Sequence, residues 1–242
     1  MNREYHRWFS PSLNREMELL VFGHAGAKVL VFPTRQGRFY DYEDWGLVDA
    51  LADSINRGML QLFCVDSVDR ESLYCRCVPP PVRIARHNQY ERYLLTEVVP
   101  FMRSRAVHPF LIAHGCSIGG YHAVTIALRH AGLFGKVVGL SGRYDLTRAF
   151  GPFPDLFDGY YDDDIYFHTP THFLPRLTDT RILNAMRKME IVLTVGEKDA
   201  FKPSAEELSR HLWSKSIPHT LAIWGGKAHR PAHWQHMVRC YL

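Results

Sequence analysis

Apolar positions along the chain fall into short blocks separated by polar stretches containing glycine or proline, and the spacing inside each block distinguishes strand from helix. "EMELLVFG" and "KVLVF" are short, dense and aliphatic, so they predict strands; "HAGA" between them, with Gly26, predicts a hairpin turn. A helix-like segment from Asp44 to Asn56 leads into a third strand, "LQLFCV". "QYERYLLTEVVPFMRSR" sets Tyr93, Leu94, Val98 and Phe101 at helical spacing, and Pro100 predicts a kink or an early end because it has no N–H to give. "FLIAHG", "KVVGLS", "EIVLTVG" and "TLAIWG" read as buried parallel strands, since a continuous apolar run needs cover on both faces. Further helices are expected from Tyr121 to His130, Ser204 to Ser216 and His233 to Leu242, with "KPSAEEL" supplying a serine cap and an acidic first turn.

This alternation predicts an α/β fold with a layered sheet. A length of 242 residues suits a single domain over 1–242. Between Asp145 and Met189 the period is lost in a stretch dense in aromatics, proline and aspartate, which reads as an irregular insertion at about 145–189 lying over the carboxyl ends of the strands.

Composition narrows the function classes. Apolar residues make up 46% and charged residues 22%, a balance that supports a sizeable core. The net charge of +4 is spread along the chain, not gathered in a stripe, which argues against nucleic acid as a partner. Apolar runs stop well short of the roughly twenty residues that cross a bilayer, so no membrane association is expected. Cys64, Cys75, Cys77, Cys116 and Cys240 are odd in number and lack paired CxxC spacing; with no export signal at the start, they predict reduced thiols and a cytoplasmic location. A homodimer is the default expectation for quaternary state.

Chemistry concentrates in "IAHGCSIGGYHAV". Gly115-Cys116-Ser117-Ile118-Gly119 matches G-x-S-x-G between an apolar strand and a helix-compatible stretch, the context in which a strained turn exposes a nucleophilic serine. G-x-S-x-G also arises by chance in a chain with 17 glycines, and a serine at a turn can simply start a helix. As a nucleophile, Ser117 needs a histidine base oriented by a carboxylate. Where this elbow occurs, acid and base follow the serine in chain order. Asp199, in the loop after "EIVLTVG", is the candidate acid, with Asp145 after "KVVGLS" as runner-up; an aspartate in either place could equally serve a turn or a helix start. His229, in the glycine-containing loop after "TLAIWG", is the candidate base among 14 histidines. His114 and His122 flank the elbow and could hydrogen-bond nearby, whereas His233 and His236 fall within the final helix. The amide of Ile118 is one candidate oxyanion donor, and "VFPTRQGRFYD" offers the other in Arg35 N–H, with Gln36 close behind.

Taken together, "SLNREMELLVFG", "VLVFPTRQGRFYDYED", "HNQYERYLL", "GCSIGGYHA", "GLSGRYDL", "GYYDDDIYF", "VGEKD" and "WGGKAH" resemble the "Putative esterase" family of the α/β-hydrolase superfamily, which includes S-formylglutathione hydrolases, feruloyl esterases and mycolyltransferases. The resemblance spans almost the whole chain. It implies an α/β-hydrolase fold, a mostly parallel central sheet flanked by helices on both faces. It also implies cofactor-free, metal-free serine cleavage of a small-molecule ester or thioester, with nucleophile, acid and base on Ser117, Asp199 and His229. Acyl transfer on the same fold, or a catalytically silent binding module, are the alternatives. Arg230 and Lys227 depart from the family's usual Asp and aromatic at those places and predict a more basic site edge.

Three smaller features complete the picture. Asp162, Asp163 and Asp164 are consecutive and lack the spaced ligand pattern of a calcium loop, which favours a solvated loop over a metal site. Phe150, Phe153, Phe157 and Tyr160 either line an acyl pocket or pack the insertion. Cys116 is expected to tuck inward and stay inert.

Overall fold

The computed structural model describes residues 1–105 and 108–242. Eight strands pair in one sheet: β1 (Arg3–Ser10), β2 (Arg15–Phe22), β3 (Ala27–Phe32), β4 (Leu60–Val65), β5 (Leu111–Cys116), β6 (Lys136–Leu140), β7 (Glu190–Gly196) and β8 (Thr220–Trp224). Their order is β1-β2-β4-β3-β5-β6-β7-β8. The strands from β4 to β8 in that order run parallel, and β1 and β2 form an antiparallel edge.

Alternation along the strands divides the core into two layers. Leu19, Val21, Leu30, Phe32, Phe63, Ala113 and Leu193 face one side, and Leu20, Phe22, Val29, Val31, Leu62, Ile112 and Val192 face the other. On the first side lie α4 (Pro80–Tyr93), α5 (Val99–Arg105), α6 (Ile118–Arg129), α9 (Thr180–Arg187) and α10 (Lys202–Ser214). The second carries α1 (Asp41–Asp44), α2 (Leu47–Ala50), α3 (Ala52–Asn56) and α11 (Pro231–Tyr241). The architecture is that of an α/β hydrolase, a mostly parallel sheet with helices on both faces.

Several local expectations change. Gly26 adopts φ +99°, but β2 and β3 are not a hairpin, because β4 lies between them. A Cβ at Gly26 would lie 2.2 Å from the Met59 carbonyl carbon, so the close approach that requires glycine is to the chain entering β4. The hairpin is β1–β2, and β1 carries no apolar block because its residues alternate between exposed and half-buried at the sheet edge. The helix expected from Asp44 to Asn56 is three short helices, interrupted at Gly46, which is left-handed at φ +69°. Pro100 ends nothing. A π-helical turn (Leu94–Val98) joins α4 to α5, widening the helix just before the residue that cannot donate. Ser204 does not cap α10. That helix begins at Lys202 with Pro203 in its first turn and no acidic residue there, and the Ser204 hydroxyl accepts from Tyr144 N instead (2.8 Å).

The segment after β6 holds α7 (Asp163–Phe167) and α8 (Pro170–Arg176) before α9. Asp162 caps α7, its carboxylate accepting from Ile165 N at 2.9 Å, which gives it a structural use. No helix among the described residues is long and apolar enough to cross a membrane.

Candidate active site

Strand β5 ends at Cys116 and α6 begins at Ile118, leaving Ser117 to make the turn between them at φ +57°, ψ −123°. A non-glycine residue holds that conformation only when its surroundings force it. Here Ser117 N donates to Leu140 O of β6 (2.8 Å), and Ser117 O accepts from Gly120 N (3.0 Å). The flanking glycines let the backbones close up. A Cβ at Gly115 would lie 2.3 Å from Gly119 C, and one at Gly119 would lie 2.6 Å from the carbonyl oxygens of Phe32 and Pro33. Cys116 points into the second core layer, where burial pushes its thiol pKa up.

Two loops from distant parts of the chain meet the turn. Asp199 lies beyond β7 and His229 beyond β8, and the loops are joined by Glu197 N to Trp224 O (2.7 Å) and Lys198 N to Gly226 O (2.8 Å). Gly196 permits this, since a Cβ there would stand 1.9 Å from Lys227 O. The result is a continuous chain of hydrogen bonds. His229 Nε2 is 3.0 Å from Ser117 Oγ, and His229 Nδ1 is 2.8 Å from Asp199 Oδ2. The other oxygen of Asp199 accepts from Phe201 N at 3.0 Å, fixing the carboxylate's orientation. Trp234 lies 5.4 Å from the His229 ring, centroid to centroid, and donates to Ser141 Oγ (3.1 Å). Ser141 and Ala228 both have positive φ, as does Gln36, so backbone strain gathers in the loops around Ser117.

A cavity of about 210 Å³ opens beside the serine, with Arg35 and Ile118 in its wall. Ile118 is the first residue of α6, where an N–H has no partner within its own helix. In the Pro33–Gly37 loop, Gln36 N donates to Asp69 Oδ2 (3.4 Å), which leaves Arg35 N–H as the candidate donor of the two.

The remaining candidates go elsewhere. Asp145 is buried against Thr147, whose N and Oγ1 donate to its Oδ1 at 2.9 and 2.7 Å, with His172 Nε2 3.6 Å from Oδ2. His114 is buried under the sheet, 2.9 Å from Val138 O, and burial lowers its pKa to about 4. Of the four insertion aromatics Phe153 lines the cavity, Phe150 and Phe157 are buried, and Tyr160 is exposed. Lys227 and Arg230 are both exposed and lie outside the cavity wall.

The sequence reading missed Asp69. It follows the carboxyl end of β4, accepts from Gln36 N with one oxygen, and pairs with buried His122 through the other (3.2 Å), tying the Arg35 loop to α6. Its position just beyond a buried strand was the available signal. Tyr74, Arg76 and Arg143 in the cavity wall were also missed, because nothing in local patterning relates them to Ser117.

Similar proteins agree with the fold. A ferulic acid esterase superposes with a TM-score of 0.78 at 14% identity, covering 99% of this chain and 95% of its own. An S-formylglutathione hydrolase from Agrobacterium tumefaciens gives 0.76 at 15% identity, with 98% and 92% covered. One from Staphylococcus aureus gives 0.70 at 15%, with 99% and 94% covered. No curated protein matches in sequence. The sequence model of the "Putative esterase" family matches residues 36–240. With that match spanning most of the chain, on an α/β-hydrolase fold, the protein belongs to the "Putative esterase" family and is a carboxylic ester hydrolase.

Proposed function

We propose that this chain hydrolyses a small-molecule ester or thioester through an acyl-enzyme formed on Ser117. The observation that carries the reading is the unbroken Ser117–His229–Asp199 chain at 3.0 and 2.8 Å, opening onto a cavity. A serine hydroxyl is a weak nucleophile at neutral pH and gains reactivity from a hydrogen-bonded imidazole. His229 Nε2 takes the hydroxyl proton as Oγ attacks the carbonyl carbon. Asp199, held by Phe201 N–H, keeps Nδ1 protonated and stabilises the imidazolium. The amides of Ile118 and Arg35 receive the developing oxyanion. His229 then protonates the leaving alcohol or thiol, and a water activated by the same imidazole releases the acid.

The fold supports this division of labour, because the β5–α6 turn fixes Ser117 and Ile118 while the loops after β3, β7 and β8 bring the second donor, the acid and the base. Incubation with a fluorophosphonate and with a short-chain aryl ester tests it. Wild type is expected to label covalently and to release a burst of phenol, and Ser117→Ala to do neither. Absence of labelling in folded wild type would favour a silent binding module, and transfer to added alcohols in preference to water would favour an acyltransferase.

A further inference from the structure

The wall of the cavity beside Ser117 combines aromatic and cationic groups. Phe201 lies 5.6 Å from the His229 ring and 4.7 Å from Phe153, centroid to centroid, making the side next to the base aromatic. Cations stand in the same wall, Arg143 lying 5.6 Å from the Phe150 ring centroid. Arg35, Arg76 and Arg143 all line the cavity, and among the described residues no aspartate or glutamate does.

These arginines differ in how they are engaged. Arg76 pairs with Asp158 at 2.7 Å and is half exposed. The Arg35 guanidinium stacks 4.9 Å from the Tyr74 ring centroid. Arg143 is only 4% exposed. Its Nε donates to Asp145 O (3.0 Å) and its Nη2 to Arg148 O and Pro154 O (2.7 and 2.8 Å), while Nη1 has no acceptor among the described residues. Neutral carbonyls satisfy these donors without cancelling the charge, so Arg143 is a buried cation held in one orientation with a free N–H edge at the cavity. Asp145 and Asp155 act on this charge only from beyond ion-pair contact, and a fixed guanidinium edge matches a carboxylate.

Direction follows from the chemistry of the proposed function, on which this inference rests. The leaving oxygen must reach His229 Nε2, so the alcohol part lies by Phe201, next to the base, and the acyl part runs toward the arginines. We propose that the ester cleaved by this chain carries a carboxylate at the far end of a short acyl group, held between the Arg143 and Arg35 side chains while the scissile carbonyl lies at Ser117. The substrate class is thus half-esters of small dicarboxylic acids. A cavity of about 210 Å³, below the ~300 Å³ at which drug-sized ligand pockets begin, restricts the acyl group to a few carbons.

The test compares two aryl esters of equal acyl length, the 4-nitrophenyl monoester of glutaric acid and 4-nitrophenyl pentanoate, with the rate in Ser117→Ala subtracted as background. Wild type is expected to favour the glutarate monoester by about 10-fold or more in kcat/KM, the scale of a desolvated charge pair. Arg143→Gln should bring that ratio close to 1, and Arg143→Lys should restore part of it. A second pair, 4-acetoxybenzoate against phenyl acetate, puts the charge on the alcohol and is expected to show no anion preference. Free glutarate should slow fluorophosphonate labelling of wild type where glutaramide does not, a measurement that needs no folded variant. Labelling with a wild-type ratio at or below 1, a ratio that survives in folded Arg143→Gln, or a preference confined to the alcohol-side pair would each overturn this inference and leave the serine mechanism standing. Failure to label at all would remove the mechanism itself.

Discussion

Two histidine–aspartate pairs meet near the start of α6, and one of the two also reaches the Ser117 hydroxyl. His229 holds Asp199 through Nδ1 and presents Nε2 to Ser117 at the edge of a cavity, with both distances at 3.0 Å or less. His122 spends its Nε2 on Asp69 at 3.2 Å and is buried among Phe32, His87 and Tyr90. The residue types are the same. What separates them is whether the second nitrogen meets a hydroxyl in a reachable space or the pair is sealed in the core, where it can only brace its neighbours. His122–Asp69 braces the loop that carries Arg35, so in the proposed mechanism it supports the oxyanion donors without touching substrate.

Substitution separates the two pairs. Ser117→Ala should lower aryl-ester kcat/KM by roughly 10⁴-fold or more, and His229→Ala should do nearly as much, with the double variant no worse than either single one because the residues act as a unit. Asp199→Asn should follow at about 10³–10⁴-fold, since the amide stabilises the wrong tautomer. Asp69→Asn should cost only about 10–100-fold, falling on kcat more than KM through a displaced donor, and should lower unfolding stability by roughly 1–3 kcal/mol. Were Asp69→Asn as damaging as Asp199→Asn in a protein of unchanged stability, the comparison would be reversed.

Two other buried histidines, one on each face of the sheet, also make a pH prediction. Burial is the main reason that the His114 pKa falls from 6.5 to about 4, and its neighbour Lys136 adds to it, against an opposing hydrogen bond to Val138 O. Burial likewise holds His87 well below 6.5. Both groups take up protons more readily unfolded than folded, so their contribution to stability is intact above pH 6.5 and is lost as pH falls below it, toward 4 for His114. For His114 alone the loss is of the order of 3 kcal/mol. Thermal melts from pH 7 to 4 should show it, and His114→Asn should flatten the slope; a flat wild-type profile would contradict the buried placement. The smallest effect expected is that of Asp145→Asn, whose aryl-ester turnover should stay within about threefold of wild type because it lies against Thr147 and His172. A loss matching that of Asp199→Asn would move the acid to Asp145.

The strand blocks, the G-x-S-x-G turn and the α/β class were legible because each depends on neighbours in sequence: apolar runs need cover on two faces, and glycines at 115 and 119 let a strand end and a helix start touch. Ser117, Asp199 and His229 could be picked out as candidates from where they fall after their strands. Their hydrogen-bonded chain could not, because it spans 112 and 30 residues and depends on Gly196 admitting the Lys227 carbonyl. Tertiary structure also placed β4 between β2 and β3, engaged the Asp145 carboxylate with Thr147, brought Asp69 under the Arg35 loop and turned three separated arginines toward one cavity. Local pattern reports which face of an element is apolar. Which distant loop a charged side chain will meet is decided by how those faces pack, and that information exists only once the chain has closed on itself.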